Sequence, residues 1–162
     1  NILRLCNRPF KDIQEHNEVL VANWNATVSK GDEVFYLGDF AMGDYQEARK
    51  IRHSLNGTIY FIEGNHDGHA AKMKNTFKWY KQTELIKRQE HLFFLSHYPH
   101  YAWPQSFRGS YHLFGHVHGN INADPMVKTR RMMDVGVDSN NFTPVLLETI
   151  INNLQYNPII TI

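Results

Sequence analysis

Short apolar runs rich in β-branched and aromatic residues recur along this chain, and four of them lead into small polar tips. Val34-Phe35-Tyr36-Leu37 opens into Gly38-Asp39. Thr58-Ile59-Tyr60-Phe61-Ile62 leads to Gly64-Asn65-His66-Asp67. Leu92-Phe93-Phe94-Leu95 opens into Ser96-His97. Tyr111-His112-Leu113-Phe114 opens into Gly115-His116-Val117-His118-Gly119. Runs of this length and composition predict buried strands. Side chains that bind metals or carry protons then stand at the strand ends, where α/β proteins commonly place their sites.

Between these strands the spacing becomes helical. Ile13, Val19, Leu20, Trp24 and Val28 predict a helix over 12–28. Ala48, Ile51 and Leu55 give an apolar stripe over 45–55, closed by Asn56-Gly57. A short helical piece is expected over 70–75. Strand–helix alternation in the first half predicts parallel βαβ units. In the second half, runs at 85–87 and 92–95 flank Arg88-Gln89-Glu90-His91 and predict a hairpin or a close strand pair. A long loop over 98–110 follows, and a second loop is expected over 115–129. A strand is expected over 132–137. Thr143-Pro144 predicts a last helix over 145–154. Residues 159–162 form a short strand or a frayed end. No repeat or linker interrupts the pattern, so residues 1–162 are expected to form one domain.

Composition changes this picture little. The 162 residues suit one domain with a real core. A net charge of +1 does not call for nucleic acid or an anionic membrane. The single cysteine, Cys6, excludes an internal disulfide and fits a reducing compartment, so a cytoplasmic location is expected. No apolar run approaches the length of a membrane span, and no charged-then-apolar leader is present. Ten histidines are the unusual number, because several of them fall at strand ends.

The tips read as a metal site. A carboxylate after a buried strand and a glycine, as at Asp39, can share its two oxygens between two cations. Asn65 offers a neutral carbonyl oxygen. His66, next to it, points elsewhere and is free to move protons, with Asp67 placed to hold its ring. His97 adds an imidazole. His116 and His118 are two apart and, in an extended segment, face one site together, each serving a different metal. Any one of these residues alone reads better as a cap, a turn or a satisfied histidine. Their combination defeats that reading.

Gly38-Asp39, Gly64-Asn65-His66-Asp67, His97 and Gly115-His116-Val117-His118 resemble, in type and order, the motifs of the calcineurin-like metallophosphoesterases. The small single-domain members are the best match. The resemblance runs from Gly38 to Gly119, and Gly-Asn-His-Asp with Gly-His-x-His downstream is specific. It implies an α/β (α+β) fold: a two-sheet β-sandwich flanked by helices in four α/β/β/α layers. It makes Asp39 the bridging ligand, with Asn65, His97 and His116 on one metal and His118 on the other. His66 would be the catalytic proton carrier and Asp67 its partner. Two divalent transition metals are implied, manganese first, with iron, zinc or nickel as alternatives. They would sit about 3.5–4 Å apart and clamp the phosphoryl oxygens and the attacking water.

The family's first motif, Asp-x-His on an opening strand, does not occur at the start of these residues. The expectation is therefore a chain lacking its N-terminal strand, with one complete metal site and a second reduced to Asp39 and His118. Asp67-Gly68-His69 matches the string but reads as turn residues. Asp12 and His16 lie one helical turn apart and read as a solvated helix face. Tyr98, His100, Tyr101 and Trp103 read as loop anchors before base-stacking residues, and Lys128, Arg130 and Arg131 as a solvated hairpin. The expected substrate is a small phosphorylated molecule or nucleotide, with no membrane partner. A non-catalytic scaffold on the same fold and a nuclease of the same superfamily are the competing readings. Nucleic acid is not indicated by the charge.

Overall fold

The structure is a computed structural model in which residues 2–160 are described. It is a mixed α/β arrangement with two sheets and, among the described residues, six α-helices. After a short helix α1 (Ile2–Leu5), the long helix α2 (Ile13–Thr27) begins where Asp12 accepts a hydrogen bond from Glu15 N at 2.9 Å. Then come β1 (Glu33–Tyr36), α3 (Tyr45–Ser54), β2 (Thr58–Ile62), α4 (Gly68–Lys72) and β3 (Trp79–Lys81). These three strands pair in parallel, in the order β1-β2-β3. The remaining elements are β4 (Thr83–Arg88), β5 (His91–Ser96), β6 (Tyr111–Phe114), α5 (Pro125–Thr129), β7 (Met132–Asp134) and α6 (Leu147–Leu154). In the second sheet β4 and β5 are the expected antiparallel hairpin, and β5, β6 and β7 run parallel.

Alternating side chains decide what each sheet face buries. Phe93, Leu95, Tyr111 and Leu113 of the second sheet share one apolar cluster with Leu37 and Ile62 of the first, completed by Ile150, Ile151 and Leu154 of α6. The opposite face of the first sheet, through Ile59 and Phe61, packs on Trp24, Val28, Ala48, Ala70 and Met73 from α2–α4. The outer face of the second sheet uses Phe94, Phe114 and Met132 to cover Trp103 and Val127. Gly57, with φ +89°, makes the turn into β2, and a side chain there would collide with Val28 Cγ1 at 2.8 Å. No helix among the described residues is long and apolar enough to cross a membrane.

Three expectations need correction. The strand expected over 132–137 ends at Asp134. The buried Asp134 carboxylate turns back to accept Gly136 N at 2.8 Å, Gly119 N at 2.9 Å and Ser139 Oγ at 2.9 Å, which pulls the chain out of the ladder. The last helix starts at Leu147, because Leu146 is still extended. The loop expected over 115–129 contains α5, capped by Asp124 with Pro125 in its first turn. The strand β3 and helix α1 were not foreseen. No strand is formed at Ile159 and Ile160, and Thr161 and Ile162 lie outside the described residues.

His112 is fully buried on β6. Its Nδ1 donates to Phe94 O at 3.2 Å and its Nε2 accepts from His100 N at 3.0 Å, so the ring is held neutral. Burial lowers its pKa to about 4. Above pH 6.5 the ring is neutral folded and unfolded, so it contributes nothing to pH dependence. Between about 6.5 and 4 the unfolded ring takes up a proton that the folded ring refuses. This group should therefore remove about 3 kcal/mol of stability as the pH falls through that window. Urea unfolding of the chain and of His112→Gln across pH 7 to 4 checks this: the variant should show the shallower slope.

Candidate metal centre

Four strand-end tips meet where the parallel strands β1, β2, β5 and β6 finish. Around His97 Nε2 stand Asn65 Oδ1 at 3.0 Å, His116 Nδ1 at 3.2 Å and Asp39 Oδ2 at 3.4 Å. Ligand atoms of Asp39, His97 and His116 all lie within 4.8 Å of one another. Donors held about 2.0–2.2 Å from one ion must be separated by roughly 3.0–3.6 Å. The spacings to His97 fall in that range.

The hydrogen-bond roles of His97 are forced. Its Nδ1 lies 2.7 Å from Leu37 O, a carbonyl that can only accept. The proton is therefore on Nδ1, and in the neutral ring Nε2 carries a lone pair that faces an amide oxygen and a carboxylate. Such a set suits a cation, either a proton on Nε2 or a metal ion. Burial pushes the His97 pKa down, but the Asp39 carboxylate and the Leu37 carbonyl outweigh it and leave the ring more basic than usual. Burial pushes Asp39 up, and His97 with the His66 N–H more than reverses this, leaving the carboxyl below its ordinary value. His116 is lowered, first by burial and then by the neighbouring His97. Tyr98, 45% exposed, sets its ring edge-on against His97 and His116 at 5.0 and 4.6 Å.

Local backbone shape delivers these groups. Gly38, Asp39, His116, His118 and Gly119 all have positive φ, between 50° and 91°. Three non-glycine residues in this region at one locality mark strain held by the surrounding structure. His116 and His118 are therefore not in an extended segment, so period-two alternation does not carry the expectation that both face one site, each serving a different metal. His116 joins Asp39 and His97, whereas His118 turns its Nδ1 to Asp138 Oδ2 at 2.7 Å and groups with Cys6 and Asp138.

Asp67 also departs from its expected role. It is buried, and it does not hold His66. Its Oδ2 accepts from Gly64 N at 2.6 Å and Asp39 N at 2.8 Å, and its Oδ1 from Phe40 N at 2.7 Å. Burial raises its pKa, with the three N–H groups pulling the other way. It clamps the tip of β1 to the tip of β2. The His66 ring is exposed and its backbone N donates to Asp39 Oδ1 at 2.8 Å.

Comparisons with known proteins bear on kinship. The chain is 32% identical over 164 residues to the uncharacterized protein MJ1445 of Methanocaldococcus jannaschii, covering 99% of this chain and 87% of that protein. The chain belongs to the MJ1445 family. The crystal structure of AQ665, a protein of unknown function from Aquifex aeolicus, aligns with a TM-score of 0.71 at 22% identity, over 90% of this chain and 87% of that one. That likeness shows a common fold. No protein-family model matches the chain.

Within this member of the family, several other residues differ from expectation. Asp12 caps α2, and His16 is buried rather than solvated, with Nε2 accepting from Arg8 Nη1 at 2.6 Å. Gly68 and His69 begin α4. Trp103 donates to Ser110 and His100 binds Ser96 and His112, so both are loop anchors. Tyr101 is exposed beneath the Arg130 guanidinium. The basic run is no solvated hairpin: Arg131 donates to the carbonyls of Asn157, Gly109 and Gln155, and Arg130 to that of Tyr101. Arg8 and Asp138 escaped the sequence reading because they meet across 130 residues, and Asp134 because its partners are backbone and hydroxyl donors of the turns after β6 and β7.

Two substitutions test the geometry. A Cβ at Gly64 would strike Asp39 Oδ1, approach Asp39 N to 2.6 Å and lie 2.9 Å from His97 Cε1. Gly64→Ala should abolish Mn²⁺ binding in calorimetry while circular dichroism keeps the secondary structure. Asp67→Ala leaves three N–H groups without their acceptor, so both stability and Mn²⁺ affinity should fall, stability by about 3 kcal/mol. Loss of turnover alone, with stability and affinity kept, would return Asp67 to the role of a His66 partner.

Proposed function

We propose that this chain is a calcineurin-like metallophosphoesterase that hydrolyses a small phosphodiester or phosphomonoester with two divalent transition metals. The observation that supports the reading most is the approach of Asp39, Asn65 and His116 to His97 Nε2 within 3.0–3.4 Å, in the chain order of that family's motifs. Two imidazoles, a carboxylate and an amide oxygen form a mixed N/O set suited to Mn²⁺, Fe, Zn²⁺ or Ni²⁺. Asp39, Asn65, His97 and His116 would hold one ion, and Asp39 with His118 the other. Bound there, such ions supply Lewis acidity and lower the pKa of water.

The chain's own groups divide the remaining work. Asp39 keeps Oδ1 on the His66 N–H, so Oδ2 is the oxygen turned to the ligand set. The His66 ring makes no hydrogen bond among the described residues and is exposed beside Asn65. It is free to protonate the leaving oxygen. Tyr98 stands at the rim with part of its surface open, where a planar group of the substrate would stack. The two sheets with their flanking helices correspond, on this reading, to the four α/β/β/α layers of that superfamily.

The test is hydrolysis of an aryl phosphodiester with Mn²⁺. His66→Ala should keep metal content near that of the unaltered chain and lower turnover by about 10²–10⁴-fold. Equal loss of metal and turnover would make His66 a ligand. Full metal loading with no hydrolysis of diester or monoester would favour the scaffold reading.

A further inference from the structure

Behind His118 lies a chain of hydrogen bonds that the metal motifs do not include. Arg8 and Asp138 are 130 residues apart and nearly buried, with side chains 8% and 10% exposed. Arg8 Nε donates to Asp138 Oδ1 and Nη2 to Oδ2, both at 2.7 Å, a two-pronged pair. Oδ2 also takes His118 Nδ1 at 2.7 Å. On its other side, Arg8 Nη1 lies 2.6 Å from His16 Nε2, and His16 Nδ1 lies 2.9 Å from Asn17 Oδ1.

With neutral imidazoles, every proton along these hydrogen bonds has one position. A guanidinium only donates, so His16 Nε2 accepts, and the His16 proton lies on Nδ1 toward Asn17. A carboxylate only accepts, so the His118 proton lies on Nδ1. In the neutral ring His118 Nε2 is then left with its lone pair. Left-handed backbone at His118, φ +50°, sets the ring in this position.

Cys6 and His118 lie within 4.8 Å of Asp138, which raises a different reading, a Cys-His-Asp metal site. Both oxygens of Asp138 already face the Arg8 guanidinium, so an ion there would meet a fixed positive charge. The group is better built to support His118 than to hold a metal of its own.

We propose that Asp138, held in place by Arg8, is a positioning residue that fixes His118 as its Nδ1–H tautomer and reserves Nε2 for a divalent cation. The role as cation ligand rests on the reading of His118 in the proposed function, whereas the tautomer does not. Outer partners of this kind typically change metal affinity by 10–100-fold.

Long-range ¹H–¹⁵N correlation spectra of the metal-free chain, at alkaline pH, report which His118 nitrogen carries the proton. The expected result is protonated Nδ1 and bare Nε2. A proton on Nε2 overturns the proposal without any substitution. The double variant Arg8→Met, Asp138→Leu removes both charges together, so no buried charge is left alone. In it both His118 tautomers should appear. Co²⁺ titration followed by visible absorption should show the weaker site falling 10–100-fold, with the Asp39–Asn65–His97–His116 site unchanged. A folded double variant with unaltered tautomer and unaltered Co²⁺ affinities also overturns it. Absence of phosphoester hydrolysis alongside the expected tautomer and Co²⁺ results would count against the phosphoesterase reading alone.

Discussion

The imidazole of His97 joins the two sheets at the point where the candidate centre forms. It leaves the end of β5 in the second sheet and donates from Nδ1 to Leu37 O, just past β1 in the first. The ring is almost wholly buried, so the bond is made in a dry setting where an unpaired N–H would be costly. One hydrogen bond thus places the Nδ1 proton, aims Nε2 at Asp39, Asn65 and His116, and ties the two sheets together at the candidate site. Gly38 and Gly64 are small because this ring and the two tips occupy the same space. A Cβ at Gly38 would lie 2.6 Å from His97 Nδ1.

Two buried aspartates carry the same logic outward. Asp67 gathers backbone N–H groups from the β1 and β2 tips, and Asp134 gathers them from the loops after β6 and β7. Each satisfies donors that tight left-handed turns leave without strand partners. The turns persist because these carboxylates over-determine them. Asp138 is a third such case, with a guanidinium and an imidazole in place of backbone donors. The candidate site is therefore preorganised by carboxylates one layer behind it, which hold Asp39, His116 and His118 in their left-handed backbone.

Much of this was legible in the residues. The strands Thr58–Ile62 and Tyr111–Phe114 appear with the expected bounds, because short β-branched and aromatic runs between turn residues have few alternatives. The β4–β5 hairpin follows from its flanking pattern, with Arg88 paired to His91 across a two-residue turn. The meeting of Asp39, Asn65, His97 and His116 was legible because each follows a buried parallel strand. What was not legible depended on distance along the chain. Arg8 meets Asp138, and Asn23 meets Phe142, through contacts that no local period encodes. His118 was assigned by period-two alternation, and the left-handed backbone of this segment breaks that rule. Asp67 was read through its sequence neighbour His66, while its physical partners were the amides of two loops.

The central claim is that one cation belongs at the four-residue convergence around His97. A crystal of the chain soaked in Mn²⁺, measured at the manganese absorption edge, tests it most directly. The account predicts an anomalous peak coordinated by Asp39 Oδ2, Asn65 Oδ1, His97 Nε2 and His116 Nδ1. Manganese bound elsewhere with this position empty at saturating metal would contradict it.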